Sequence, residues 1–250
     1  FDLRTFAGGV SGGGAGFLAQ PQDARQYRVQ IRWALRALRR GSVGISSLGD
    51  GDAEATMGLA DLQSSWFMAG PLGQYPAGGN TGGFSAAWLG SSPGLDLRAD
   101  MAWAARAYKA LGPFFGDTAQ RPYRFFLRVL PESTTSGGTA GNRSFMLQVP
   151  VRPRGSTSSG DEGLRSVVAH EMIHGWAGSF QGAGPWASEG LATYFTANLQ
   201  RRLGLQPIKS FVAELNRLTQ EYHGNPYRNA TSDDARAVFG LQVFVIVGGV

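Results

Sequence analysis

Two of the chain's three histidines stand four residues apart in His170-Glu171-Met172-Ile173-His174, and the next carboxylate in the chain is Glu189. Four residues make slightly more than one helical turn, so the two imidazoles share a face only if this stretch is a helix. On that face they can hold one metal ion, while Glu171, one position round, points at a bound water rather than at the metal. Glu189 falls at the head of a second expected helix, 187–203, beside Trp186 in an otherwise apolar segment, where a carboxylate needs a partner. His170, His174 and Glu189 are therefore the expected metal ligands, zinc the expected ion, and Glu171 the expected general base. A zinc site that is structural, or that has lost its activity, is the alternative that this spacing leaves open.

Other side chains bear on the same chemistry. Tyr222 and Tyr227 are candidate phenol donors to a tetrahedral oxyanion. His223 is a candidate further ligand or transition-state donor, against the plainer reading of a loop histidine. Thr193 and Asn198 can hold the second nitrogen of a histidine. Trp176 and Trp186 are expected to wall the metal-bearing helices. Ser166, Ser179 and Ser188 sit in no nucleophile elbow, which argues against a serine hydrolase.

Composition removes several classes of function. With no cysteine, disulfides, thiolate catalysis and cysteine-held zinc are excluded, and either redox compartment is permitted. Lys plus Arg number 23 against 18 for Asp plus Glu, a net charge of +5. The excess is scattered, with short pairs at Arg39-Arg40 and Arg201-Arg202, so nucleic acid is not an expected partner. No apolar run is long enough for a membrane span; even the closing stretch from Val243 to Val250 is too short. Phe1 stands where an initiator methionine would, and a processed product, periplasmic or secreted, is expected, with the cytoplasm as the alternative location.

Read in order, the chain changes character near residue 95. Before it lie many of the 37 glycines, a feature of tight turns and close backbone approach. The glycine-rich start, 1–17, has neither the lysine nor the βαβ frame of a phosphate-binding loop. Alternation over 27–35 predicts a half-buried strand. Residues 41–51 read as a loop, 55–70 as a helix or a strand pair, and 71–93 as Gly/Pro-rich chain with an ordered patch at Phe84, Trp88 and Leu89. Helical spacing over 97–115 ends at Gly112-Pro113. Strands are expected at 123–130 and 144–149, separated by a polar loop at 131–142. An exposed edge at 144–149 would suit an extended peptide. After the two metal-bearing helices, further helices are expected at 207–222 and 235–246. The expected class is α+β: a β-rich N-terminal lobe over 1–95, then a lobe over 96–250 with a small sheet and the metal-bearing helices.

The motif pair His-Glu-Met-Ile-His and Trp186-Ala187-Ser188-Glu189-Gly190 resembles that of the gluzincin metallopeptidases. The fuller phrase, SVVAHEMIHGWAG followed by PWASEGLATYFTANLQRRLGL, is most similar to the glycyl aminopeptidase family M61, related to the M1 aminopeptidases. The resemblance implies a thermolysin-like catalytic lobe behind a β lobe and a peptide or protein substrate. It also matches His170, His174 and Glu189 to the zinc ligands and Glu171 to the base. Two positions depart from the family. Ala140, in the stretch from Gly137 to Ser144, stands where the family carries the glutamate that holds a substrate's free amine, which leaves aminopeptidase against endopeptidase specificity open. The segment Arg236-Ala237-Val238-Phe239-Gly240 lacks the family's tyrosine. A non-catalytic peptide-binding or structural member that keeps the fold is the alternative these departures support.

Overall fold

The computed structural model describes residues 2–19, 23–79, 83–117, 119, 121–134, 136–141, 143–155, 159–176, 185–202, 204 and 206–224, without the side chains of 159–162, 185–187 and 222. The chain forms two compact units, Phe1–Ala105 with Ala119–Asp161, and Arg106–Thr118 with Glu162–Val250. Among the described residues the architecture is mixed α/β, with three sheets, six α-helices and one short 3-10 turn.

The first unit holds all three sheets. One is antiparallel throughout: β1 (Arg4–Phe6), β2 (Gly9–Gly13), β4 (Val43–Ser46), β5 (Gly49–Asp50) and β7 (Trp66–Gly70), in the order β1-β2-β7-β4-β5. A two-stranded ribbon pairs β3 (Gln26–Ile31) with β6 (Ala53–Gly58). The third sheet has the order β11-β12-β10-β9-β8, formed by β8 (Gly73–Tyr75), β9 (Phe84–Leu89), β10 (Tyr123–Leu130), β11 (Gly137–Gly141) and β12 (Ser144–Pro150). Its three central strands run parallel and its two edges antiparallel. Every residue of β10 is buried, as a parallel interior strand requires. The register sets Phe125 opposite Phe145, and their rings stack with centroids 4.2 Å apart. Ile45, Trp66, Met68, Leu89, Phe126 and Met146 form a core drawn from the two larger sheets. The two arginines of β10 are buried and paired, Arg124 with Asp50 and Arg128 with Asp2. Buried guanidinium groups need such partners. Short helices α1 (Gly14–Phe17) and α2 (Leu59–Gln63) link strands of this unit.

Several expectations are corrected here. Residues 41–51 are the hairpin β4–β5, not a loop, and Gly44 shows why the composition hid it. A Cβ on Gly44 would lie 2.2 Å from the Trp33 ring, so the glycine makes room for an indole lying flat on the strand. Trp33 also ends β3 early: its backbone N–H donates to Asp52 Oδ1 at 3.0 Å and its indole to the Gly51 carbonyl at 2.9 Å. The strand therefore stops at Ile31 instead of reaching residue 35. Residues 55–70 hold both element types, β6 and β7 flanking α2. The ordered patch at 84–89 is a full strand with neighbours on both sides.

The polar loop at 131–142 contains β11, which pairs with β12. Ser144–Pro150 therefore has partners on both sides and is no edge; β11 is the edge of this sheet among the described residues. Arg143, in the two-residue link between these strands, adopts φ 52°. That left-handed conformation costs a non-glycine residue about 1–2 kcal/mol.

Four longer helices follow: α3 (Leu97–Phe114), α4 (Ser159–His174), α5 (Pro185–Arg202) and α6 (Ile208–Gly224). Gly112-Pro113 does not stop α3, which continues to Phe114. The stop is Gly116, at φ 72°. Its N–H donates to the Pro113 carbonyl at 3.1 Å and that of Asp117 to the Gly112 carbonyl at 2.9 Å, a Schellman closure. In the second unit, Leu164, Val168, Ala169, Met172 and Ile173 form the buried stripe of α4. The Arg201 guanidinium of α5 lies 5.2 Å from the centre of the Phe211 ring of α6. The helix expected at 235–246 lies outside the described residues.

Candidate metal centre

The buried stripe of α4 fixes where its histidines go. At 100° per residue, Leu164, Val168, Met172 and their neighbours occupy one side, and His170 and His174 fall together on the opposite side. Both imidazoles are mostly covered, with side-chain exposures of 19% and 14%. Helix α5 begins on a proline, which suits the first helical position, and carries Glu189 in its second turn.

The three side chains converge. His170 Nε2 lies 3.1 Å from Glu189 Oε2 and 3.1 Å from His174 Nε2, while His174 Nε2 lies 3.4 Å from Glu189 Oε1. The two rings stand nearly perpendicular, at 81°, with centroids 4.8 Å apart. The ligand-capable atoms of His170, His174 and Glu189 all fall within 4.8 Å of one another.

Helix α5 also reaches the far side of each imidazole. Thr193 Oγ1 sits 3.4 Å from His170 Nδ1, and Ser188 Oγ sits 3.4 Å from His174 Nδ1. When Nδ1 carries the proton and donates it to a hydroxyl oxygen, the lone pair is left on Nε2, facing the centre of the cluster. Two nitrogens and one carboxylate presented in this way form a donor set that a divalent ion of the zinc type accepts. The residues fit such an ion.

The electrostatics follow from these contacts. Hydrogen bonds from His170 and then His174 outweigh burial and hold the Glu189 carboxyl far below the usual carboxylate range. Burial alone would push the His174 imidazole down, but the carboxylates of Glu189 and Glu171 prevail and raise it. Glu171 is raised, chiefly because burial disfavours its charged form and only partly because Glu189 repels it; the two histidines oppose the shift.

Trp176, just past the end of α4, packs against the end of α3. Its Nε1 donates to Asp117 Oδ2 at 3.1 Å, and its ring stacks on Phe115 with centroids 5.5 Å apart and an interplanar angle of 7°. Tyr108 and Phe195 complete the aromatic group, the first against Trp176 at 5.4 Å and the second against Phe115 at 5.2 Å.

The remaining sequence candidates divide. Thr193 stands at a histidine nitrogen as expected, whereas Asn198 Nδ2 donates to the Tyr194 carbonyl of its own helix at 3.1 Å. His223 is exposed on the last turn of α6 and is not in the converging group. The Tyr222 and Trp186 side chains and all of Tyr227 lie outside the described residues. Ser188, outside any nucleophile elbow, serves instead at His174 Nδ1, and its place directly before Glu189, within one helical step of the cluster, is the sequence signal for that role.

Neither a protein family model nor a curated protein matches the chain in sequence. Solved structures do match in shape. An aminopeptidase N family protein from Idiomarina loihiensis superposes with a TM-score of 0.66 at 15% identity, covering 86% of this chain and 40% of that one. The fold resembles that protein's. Yeast LTA4 hydrolase in complex with bestatin matches with a TM-score of 0.56 at 14% identity, over 96% of this chain and 41% of its own. Native yeast LTA4 hydrolase matches at 0.51 and 12%, over 90% and 35%. At these identities the likeness is one of fold alone, and the chain spans about two-fifths or less of the length of the proteins it matches. No helix among the described residues is long and apolar enough to cross a membrane.

Proposed function

We propose that this chain is the metal-bearing part of a zinc-dependent peptidase that resembles the M61 glycyl aminopeptidases, with a thermolysin-like metal-bearing lobe that follows a β-rich one in the chain. The observation that carries the reading is the convergence of His170, His174 and Glu189, with a hydroxyl at the far nitrogen of each imidazole. The fold shared with an aminopeptidase N family protein agrees with it.

His170 and His174 would hold the ion through Nε2 and Glu189 through its carboxylate. Zinc bound there supplies a Lewis acid for a scissile carbonyl and lowers the pKa of a water. Glu171 would be the base that takes a proton from such a water and returns it to the leaving amine. Its carboxyl, raised by burial, is a stronger base than an exposed glutamate and lies nearer the working pH at which proton transfer is efficient. Oxyanion stabilisation falls to Tyr222, Tyr227 or His223. The substrate is a peptide or protein.

A second reading rests on β11. This edge strand carries Ala140, with no carboxylate on Gly137–Gly141, and its exposed backbone suits pairing with an extended peptide in a protein that binds without cleaving. One experiment separates the two. The purified protein is assayed for metal content and then offered matched peptides with free and acetylated amino termini, with zinc and with chelator. Zinc-dependent hydrolysis supports the peptidase; turnover of blocked peptides makes it an endopeptidase. Bound metal or peptide without turnover supports the second reading.

A further inference from the structure

A cavity of about 480 Å³ opens in the first unit, and every residue lining it belongs to that unit. Its wall combines the apolar side chain of Met57 with Ser47, Ser65 and three charged residues, Asp50, Arg124 and Arg143. The volume lies in the range of small-molecule sites, which mix apolar surface with a few fixed polar groups.

The charges are not equivalent. Arg124 is almost wholly covered, with 8% side-chain exposure, and is paired with Asp50. The Arg124 backbone is fixed as well, its N–H donating to the Arg143 carbonyl at 3.1 Å. Arg143 is exposed, and no ion pair joins it to a carboxylate among the described residues. Its backbone is at φ 52°, in a hairpin position where glycine or asparagine is the unstrained choice. The hairpin thus keeps a strained residue, an arginine, in the cavity wall. A strained backbone position that persists points to a function.

We propose that this cavity binds a small organic monocarboxylate with a compact apolar body. Asp50 offsets Arg124, so the three charged groups leave one net positive charge for the ligand. A carboxylate matches the planar fork of arginine, whereas a dianion such as a phosphate monoester would meet repulsion from Asp50. Met57 and its apolar neighbours take the body of the ligand.

The test is calorimetric titration of the full chain with hexanoate and benzoate, with hexan-1-ol and hexyl phosphate as comparisons. Saturable binding of the carboxylates, weakening as salt rises and absent for the alcohol, is expected. Arg143→Gly should weaken hexanoate binding at least tenfold while raising the melting temperature, because glycine relaxes the hairpin. Arg143→Lys should keep part of the binding and none of the gain in stability. The proposal is overturned if no carboxylate binds, if hexan-1-ol or hexyl phosphate binds as well as hexanoate, or if Arg143→Gly binds hexanoate unchanged.

Discussion

Thr193 Oγ1 stands 3.4 Å from His170 Nδ1, so the helix that carries Glu189 also orients the imidazole that Glu189 meets. One helix supplies a ligand and the outer support of another, and Ser188 repeats the arrangement for His174. Removing such an outer partner typically weakens metal binding about 10–100-fold without removing a ligand. Thr193→Val and Ser188→Ala are each expected to fall in that range and, together, to exceed either alone. Competition for zinc against a chromophoric chelator measures this. Affinities equal to the parent protein's would show that the hydroxyls do not orient the rings.

Glu171 occupies the same helical turn as the two histidines, yet its pKa is raised where that of Glu189 is lowered. Two carboxylates kept apart in this way are suited to different tasks, one to holding a cation and the other to moving a proton. Glu171→Gln is expected to keep the metal content of the parent and to lower kcat about 100-fold or more, the range of general-base catalysis. Steady-state kinetics with metal analysis on the same sample decides. A variant with full turnover would remove Glu171 from the chemistry, and one that lost its metal would make it a structural residue.

The cluster was legible in the sequence because helical spacing is a strong geometric constraint: a four-residue interval can mean little else once the stretch is helical. The partner on α5 was legible for a different reason, that a carboxylate in an apolar segment needs an explanation. What was hidden depended on tertiary contact. Gly44 reads as a loop residue until Trp33 is seen lying on it, and β11 reads as a loop because three of its five residues are glycine. Gly112-Pro113 reads as a stop, but the helix runs one residue past it, and the carbonyls left open in that last turn are met by the N–H groups of Gly116 and Asp117. Ser188 reads in the sequence as a possible nucleophile, and only the packing of α5 on α4 makes it a neighbour of His174.

Trp176 lies two residues past the end of α4, and its indole joins that helix end to the Schellman turn after α3 through Asp117. The side chain offers two separable contributions. Trp176→Phe removes the N–H donor and leaves an aromatic ring against Phe115, so a loss of about 1 kcal/mol is expected. Trp176→Ala also removes the stack and leaves a void, and about 3–5 kcal/mol is expected. Urea unfolding followed by circular dichroism gives both values. Equal losses for the two variants would mean that the hydrogen bond, not the ring, holds this corner.

The ribbon β3–β6 offers a test of charge outside the metal centre. Gln30 and Glu54 are directly opposed, and Arg28 reaches Glu54 from the diagonal position. Arg28 Nε donates to Glu54 Oε1 at 2.5 Å and Nη2 to Oε2 at 3.0 Å, while Gln30 Nε2 donates to Oε2 at 2.7 Å. The hydrogen bonds from Arg28 and then Gln30 lower the Glu54 pKa from its ordinary 4.5. A carboxyl lowered in the folded state contributes stability that is present above the unfolded value and is lost as pH falls through the folded one. The pair is exposed to solvent and salt, so the contribution is small. Glu54→Gln should therefore melt slightly below the parent at pH 7 in dilute buffer. The gap should close as pH falls below about 4.5 and the folded-state carboxyl titrates, and it should also close at high salt. Melting curves of both proteins from pH 7 to pH 3 measure it, and a gap that persists in acid would assign the effect to lost packing rather than to charge.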